Sequence, residues 1–193
     1  MSTFYIARHG QTQNNLNQKL SGWLDTPLTD AGVDNAHASA AKLKSSNLDV
    51  IIASDLGRAV STAGIIASDI GFTAEVIQSP ELREVNYGDL GGTPISEVIE
   101  KAIPLNNGDY VPDNGESLNQ MQHRVLSFLD KLATEYAEKS ILIVAHDGTI
   151  NAIFADSAGI SVSEADATRR NSHDIVARFT LDNGKVEKFE ELA

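Results

Sequence analysis

The chain has 193 residues, and 15 Lys and Arg against 27 Asp and Glu give it a formal net charge of −12. This length is typical of one domain with a substantial buried core, and the acidic charge disfavours nucleic acid or an anionic membrane as a partner. The sequence has no cysteine, which excludes disulfides and thiolate chemistry, and its longest apolar run, residues 141–145, is too short to cross a membrane.

Strands and helices are expected to alternate in the first half of the chain. Residues 4–7 and 50–53 are short, continuous apolar runs, which predict strands buried on both faces. A helix is predicted over 29–45, because this stretch begins with a good N-cap residue, and a second over the Ala- and Ile-rich residues 57–68. Residues 73–77, which lie shortly before a Ser-Pro pair, are a third strand candidate.

Residues 91–115 differ from the rest of the sequence. They are rich in Gly, Pro and Asn, so at most one short helix fits there, near 95–101. We interpret this segment as a small lid or cap inserted into a single domain, residues 1–193, rather than as a domain of its own.

The second half of the chain returns to alternating elements. Ser117 and Gln120 form a capping box before apolar residues at helical spacing, which predicts a helix. Residues 141–145 predict a buried strand, 149–157 a short helix, and the Asp-Asn-Gly at 182–184 a hairpin. Strands that are apolar on both faces and alternate with helices predict an α/β fold, namely a three-layer α/β/α sandwich with a mostly parallel central sheet.

Polar residues that follow the predicted strands form the candidate site. Arg8 and His9 follow the first strand and His146 follows another, and ligands bind at the carboxyl ends of strands in open α/β sheets. Arg58 lies at a predicted helix start, where anions are favoured and a guanidinium adds a bidentate donor. Glu84 lies in a polar segment further along. Each of these residues could have a purely structural role: the arginines in salt bridges, the histidines hydrogen-bonded in the core, and Glu84 as a surface carboxylate. Together, however, they indicate a site that binds an anion.

Five short segments carry motifs that occur together, in this order, in a known family. Residues 8–15 read Arg-His-Gly-Gln-Thr-Gln-Asn-Asn, and 21–29 read Ser-Gly-Trp-Leu-Asp-Thr-Pro-Leu-Thr. Residues 54–58 contain a second arginine motif, 82–88 an acid motif and 145–146 a second histidine. With these motifs the sequence resembles the histidine phosphatase superfamily, in the branch that includes the phosphoglycerate mutases, over most of its length.

The resemblance implies transfer of a phosphoryl group through a phosphohistidine on His9. Such a nucleophile must be neutral, so its other ring N–H needs an acceptor, most simply a backbone carbonyl. Arg8, Arg58 and a protonated His146 would supply the positive charge that stabilises the transferred group, with no metal ion or other cofactor. Glu84 would protonate the leaving group and then activate water.

The same resemblance implies a second set of residues around the substrate. Asp147 stands where this branch usually has Gly, and a His-Asp pair supplies the proton donor in the other branch, the acid phosphatases. Asp147 is therefore a second candidate for the acid, and its structural alternative is a carboxylate that stabilises the start of a helix. His173 is expected at the surface rather than at the pocket rim. The predicted substrate-binding residues are Asn15, Ser21, Gly22, Tyr87 and Asp147.

These residues predict a metal-independent phosphatase that hydrolyses small phosphorylated metabolites. Because residues 1–3 show no secretory signal, we expect it to be cytoplasmic. Residues 91–115 hold one basic side chain against four acidic ones, a net charge of −3, which repels the second anion of a phosphoglycerate. The alternatives are a phosphoglycerate mutase and a non-catalytic regulatory protein that binds a phosphorylated ligand. The oligomeric state does not follow from the sequence.

Overall fold

A six-stranded sheet forms the centre of the computed structural model, which describes residues 2–193. The strands are ordered β3-β2-β4-β1-β5-β6 across the sheet; the first four are parallel, and β5 and β6 are antiparallel to their neighbours. Their bounds are β1 (Thr3–Arg8), β2 (Val50–Ser54), β3 (Ile77–Ser79), β4 (Ser140–Ala145), β5 (Val176–Asp182) and β6 (Lys185–Glu191).

Helices cover both faces of the sheet. One face packs against α2 and α3, and the other against α5, α6 and α7, so the three-layer α/β/α prediction is confirmed. None of the helices in residues 2–193 is both long and apolar enough to cross a membrane. The helices are α1 (Gln13–Leu16), α2 (Asp30–Leu43), α3 (Gly57–Ile70), α4 (Ile95–Glu100), α5 (Leu118–Glu135), α6 (Asp147–Ala158) and α7 (Val162–Thr168).

Strand β1 shows why the central strands are apolar throughout. Successive side chains point to opposite faces of a strand, so Phe4 and Ile6 enter the hydrophobic cluster beneath α5 and α6. Tyr5 and Ala7 enter the cluster beneath α2 and α3. Both faces of the sheet are therefore buried, as the continuous apolar runs predict.

The helix caps and the terminal hairpin form as the sequence predicts. The Thr29 side chain accepts a hydrogen bond from a backbone N–H in the first turn of α2, and Ser117 and Gln120 form the capping box of α5. Asn183 and Gly184, between β5 and β6, have φ angles of 49° and 80°. Positive φ at both positions is what a tight two-residue hairpin turn requires.

The short elements are where sequence and structure differ. The prediction of a strand over 73–77 is wrong, because the chain pairs with the end of β2 only from Ile77 and turns away at Pro80. Apolar periodicity does not predict α1 or α7, which are short and are begun by polar caps at Thr12 and Ser161. Residues 91–115 contain α4 and otherwise turns, loops and a single bridge residue.

Candidate active site

The carboxyl ends of β1 and β4 bring the two predicted histidines together. The strands are parallel neighbours, and Arg8 lies opposite Ala145 at their ends. The next residue on each chain segment is a histidine, and the ring centroids of His9 and His146 are 5.2 Å apart. Sheet register therefore pairs two residues that are far apart in the sequence.

His9 has one ring nitrogen held by the backbone and the other directed at an arginine. Its Nδ1 lies 2.8 Å from the carbonyl oxygen of Gly10, which can only accept, so Nδ1–H donates. Its Nε2 accepts from Nε of Arg58 at 3.3 Å. Burial, with the charges of Arg58 and Arg8, lowers the pKa of His9 well below its usual value. His9 is therefore neutral, with a lone pair on Nε2.

Arg58 is buried at the start of α3 and is fixed by the loop of residues 21–25. Its terminal nitrogens donate to the carbonyl oxygens of Gly22 at 2.7 Å and Leu24 at 2.9 Å. The Asp25 carboxylate lies 3.4 Å from the same guanidinium and also accepts from the backbone N–H of Gly57 and Arg58. Asp25 thus caps α3 and positions Arg58 in one arrangement, a role that sequence reasoning missed although its segment was singled out.

Arg8 and His146 carry buried polar atoms without partners. Arg8 donates through one terminal nitrogen to the carbonyl oxygen of Asn171 and lies 3.5 Å from a carboxylate oxygen of Asp147. Its Nε, and both ring nitrogens of His146, have no hydrogen-bond partner among the described residues. Unsatisfied buried polar groups are costly and are expected where a ligand supplies the partner. Grouped around His9, these atoms suit the oxygens of a phosphoryl group.

His146 lies in an environment that disfavours its protonated form when no anion is bound. Its side chain is fully buried, and burial is the largest cause that lowers its pKa well below the usual value, followed by the charge of Arg58. Burial therefore disfavours the protonated form of His146 in the protein without a bound anion, and the prediction of an imidazolium concerns the state with phosphate bound. A phosphate dianion beside the ring would raise the pKa of His146 by providing an opposite charge.

Glu84 is held next to the histidines by backbone donors. Its carboxylate oxygens accept from the backbone N–H of Val85 at 3.0 Å and of Gly148 at 3.2 Å. Burial and then the charge of Asp147 raise the pKa of Glu84 to about 7, although these hydrogen bonds and Arg58 act in the opposite direction. The surroundings of Glu84 therefore favour its protonated form far more than those of an exposed glutamate.

Two neighbours fix the backbone around Glu84. Arg124, on α5, donates to the carbonyl oxygens of Glu81 at 2.7 Å and Arg83 at 3.1 Å and to that of Glu84 at 3.4 Å. Trp23 donates its ring N–H to the Glu84 carbonyl at 2.8 Å. Sequence reasoning missed Arg124, because an arginine on the polar side of an amphipathic helix carries no local signal of such a role.

Glycine is required at position 148 because α6 approaches Glu84 closely. A Cβ at this position would lie 2.3 Å from Oε1 of Glu84. Any side chain there would displace either the carboxyl group or the start of the helix.

The predicted substrate-side residues line one pocket above these groups. The side-chain oxygen of Asn15 accepts a hydrogen bond from the backbone N–H of Thr12 at 3.0 Å. The hydroxyl of Ser21 is buried without a hydrogen-bond partner among the described residues. Ile95 brings the 91–115 segment to the pocket wall, whereas the fully buried His146 is not among the lining residues. The pocket is lined by Arg8, His9, Asn15, Lys19, Leu20, Ser21, Gly22, Arg58, Glu84, Tyr87, Ile95 and Asp147.

His173 lies beside the site, so the prediction that it is a surface residue is wrong. Its ring centroid is 5.8 Å from that of His9, and its Nδ1–H donates to the His9 carbonyl oxygen at 3.1 Å. The physical reason is that β5 runs antiparallel to β1, which brings the residues before β5 alongside those after β1. Burial and the charge of Arg8 lower the pKa of His173.

The fold and motifs agree with comparisons to known proteins. A sequence model of the histidine phosphatase superfamily, branch 1, matches residues 4–190. A 2,3-bisphosphoglycerate-dependent phosphoglycerate mutase of Cytophaga hutchinsonii is 35% identical over 169 residues, which cover 83% of this chain and 79% of that protein. The chain therefore belongs to branch 1 of the histidine phosphatase superfamily.

Solved structures with the same fold include two phosphatases. A mycobacterial glucosyl-3-phosphoglycerate phosphatase superposes with a TM-score of 0.85 at 24% identity, over 97% of this chain and 96% of that one. The α-ribazole phosphatase of Shigella flexneri has a TM-score of 0.82 at 25% identity, over 97% and 95% of the two chains. At 24% identity, the likeness to the glucosyl-3-phosphoglycerate phosphatase shows a shared fold only.

Replacing Glu84 with Gln is expected to stabilise the protein at pH 8 but not at pH 5. Because the folded-state pKa of Glu84 is about 7, the folded chain binds more protons than the unfolded chain between roughly pH 4.5 and 7, so stability falls as pH rises through that window. The variant should gain about 1–2 kcal/mol at pH 8 in urea unfolding. Glu75→Gln, at an exposed loop carboxylate, is the control. An equal effect of Glu84→Gln at both pH values would contradict this account of the carboxyl group.

Proposed function

We propose that this protein is a metal-independent phosphatase that hydrolyses small phosphorylated metabolites through a phosphohistidine on His9. The geometry of His9 supports this most directly. Its ring is neutral, Nδ1–H is held by a carbonyl oxygen, and the Nε2 lone pair lies among arginine donors. A nucleophile with this tautomer can attack phosphorus without first losing a proton.

In the first step the phosphate oxygens bind the guanidinium groups of Arg8 and Arg58 and the ring of His146. Nε2 of His9 attacks phosphorus, the ester P–O bond breaks, and the proton of Glu84 goes to the leaving oxygen. Because charge spreads over the equatorial oxygens as this happens, planar bidentate donors stabilise the transferred group in place of a metal ion.

In the second step the Glu84 carboxylate takes a proton from water. The water oxygen attacks the phosphohistidine, the P–N bond breaks, and inorganic phosphate leaves neutral His9 and protonated Glu84. A carboxyl pKa of about 7 suits both directions of proton transfer near neutral pH.

Hydrolysis is favoured over phosphoglycerate mutase activity by the charge of residues 91–115, a segment that reaches the pocket wall at Ile95. The net charge of −3 over residues 91–115 disfavours the second anionic group that a mutase must hold on its substrate and its bisphosphate cofactor. The relative from Cytophaga hutchinsonii, named a mutase, keeps that activity as the second candidate. The complete set of nucleophile, acid and arginines argues against a protein that only binds its ligand.

The protein should hydrolyse 4-nitrophenyl phosphate after treatment with a chelator and without added bisphosphoglycerate, because the arginines supply the positive charge. Brief exposure to a ³²P-labelled phosphomonoester and rapid quenching should trap acid-labile label on His9. Both activity and label should vanish in His9→Ala and persist in His123→Ala, at an exposed position on α5. Interconversion of 2- and 3-phosphoglycerate faster than phosphate release would overturn the proposal.

Glu84→Gln should slow hydrolysis in a way that depends on the leaving group. An alkyl phosphate needs a proton on its leaving oxygen, so kcat/KM should fall by roughly 10²–10⁴. With 4-nitrophenyl phosphate, whose leaving group is stable as an anion, the loss should be much smaller. Glu75→Gln is the matched control. Equal losses on both substrates would show that Glu84 is not the proton donor.

A further inference from the structure

Three ionisable side chains that line the pocket, Lys19, Tyr87 and Asp147, take no part in the phosphate binding or proton transfer of the proposed mechanism, and Asp147 is the carboxylate among them. It is the first residue of α6, directly after His146. Its side chain is a quarter exposed, at 25%, and faces the pocket beside Arg8. A carboxylate placed there meets whatever group the substrate carries next to its phosphate.

The carboxylate of Asp147 is held in one position by buried amides. The Asn171 side chain donates to Oδ1 of Asp147 at 2.9 Å and also to the amide oxygen of Asn151 at 2.9 Å. Asn171 and Asn151 are both buried, and the backbone of Asn171 accepts from Arg8. Asp147 is thus fixed against Arg8 at 3.5 Å and does not swing freely into solvent.

Because Glu84 is protonated when the substrate binds in the proposed mechanism, Asp147 is the side chain that makes this side of the pocket acidic. Glu84 is its neighbour across the N-terminus of α6, and the negative charge of Asp147 raises the pKa of that carboxyl. Arg8 offsets part of the charge but is directed at the phosphate site. Lys19 lies at the pocket mouth, where its exposed side chain is screened by solvent and salt. A like charge in a partly desolvated pocket is repelled more strongly than one in water.

We propose that Asp147 is a specificity-determining residue, which rejects phosphomonoesters that carry a second anionic group beside the phosphate. The substrates of the protein are then phosphate esters of neutral or cationic alcohols. This inference rests on the proposed phosphatase function and narrows it to a substrate class. Asp147 acts from the pocket wall beside Arg8 and does not belong to residues 91–115, so its charge is distinct from theirs.

Glycerol 3-phosphate and 3-phosphoglycerate provide a matched pair of probes, because they differ only in a hydroxymethyl group against a carboxylate. We expect kcat/KM for phosphate release to favour glycerol 3-phosphate by about tenfold or more in the wild-type protein. Asp147→Asn should bring the ratio of the two values down by about tenfold. Phosphoethanolamine carries a cationic group in the same region. In Asp147→Asn, kcat/KM for phosphoethanolamine should fall relative to kcat/KM for glycerol 3-phosphate.

Asp34→Asn is the control, because it removes the same charge from an exposed carboxylate on α2, outside the pocket lining and outside residues 91–115. Its substrate ratio should equal that of the wild type. Measuring a ratio also removes any general change in phosphate affinity that follows from freeing Arg8. If Asp147→Asn is unstable, Asp147→Ser, which keeps a polar residue at the start of α6, provides the same comparison.

Three outcomes would overturn the inference while leaving the phosphatase function in place. The first is equal use of the two substrates by the wild type, and the second is an unchanged ratio in the Asp147 variants. The third is an equal change in Asp34→Asn, because the selection would then belong to the overall charge. Absence of turnover on every phosphomonoester would instead refute the proposed function itself.

Discussion

The buried guanidinium of Arg58 is the constraint on which the rest of the site depends. Arg58 is only 2% exposed, and a charge removed from water must be met by hydrogen-bond acceptors and counter-charges. The loop of residues 21–25 provides them through two carbonyl oxygens and the carboxylate of Asp25, which also caps α3. Satisfying Arg58 therefore folds this loop over the start of α3, forms one wall of the pocket, and leaves the Nε–H of the guanidinium directed at His9.

The same placement sets the protonation of the groups that would carry out the chemistry. Burial and the arginine charges lower the pKa of His9 and of His146, while burial and Asp147 raise that of Glu84. A neutral nucleophile and a protonated acid thus coexist near pH 7, which opposite environments for neighbouring groups make possible. The arrangement costs stability, because buried nitrogens lack partners within residues 2–193 and a carboxyl group is kept from ionising. Two hydrophobic clusters, one on each face of the sheet, offset that cost.

The sequence is informative where local chemistry decides structure. Buried strands, capping residues and the Asn-Gly turn could be predicted because each depends on a few adjacent residues. The strand order could not, because it places β4 between β1 and β2 through long-range pairing. For the same reason the sequence does not reveal the roles of Asp25, Arg124 and Asn171, since each contacts the site from a distant part of the chain. The sequence predicts a surface position for His173, because only the antiparallel pairing of β5 brings this residue to His9.

The most direct measurement of the central claim is the tautomer and charge of His9. Nitrogen-15 NMR of the imidazole rings, with His9→Gln used to assign the signals, reports each ring nitrogen separately. At pH 7 and without ligand, we predict a neutral His9 ring, with the proton on Nδ1 and an unprotonated Nε2 that accepts from Arg58. An imidazolium at this pH, or a neutral ring with the proton on Nε2, would contradict the account, because neither form has a lone pair on Nε2 with which to attack phosphorus.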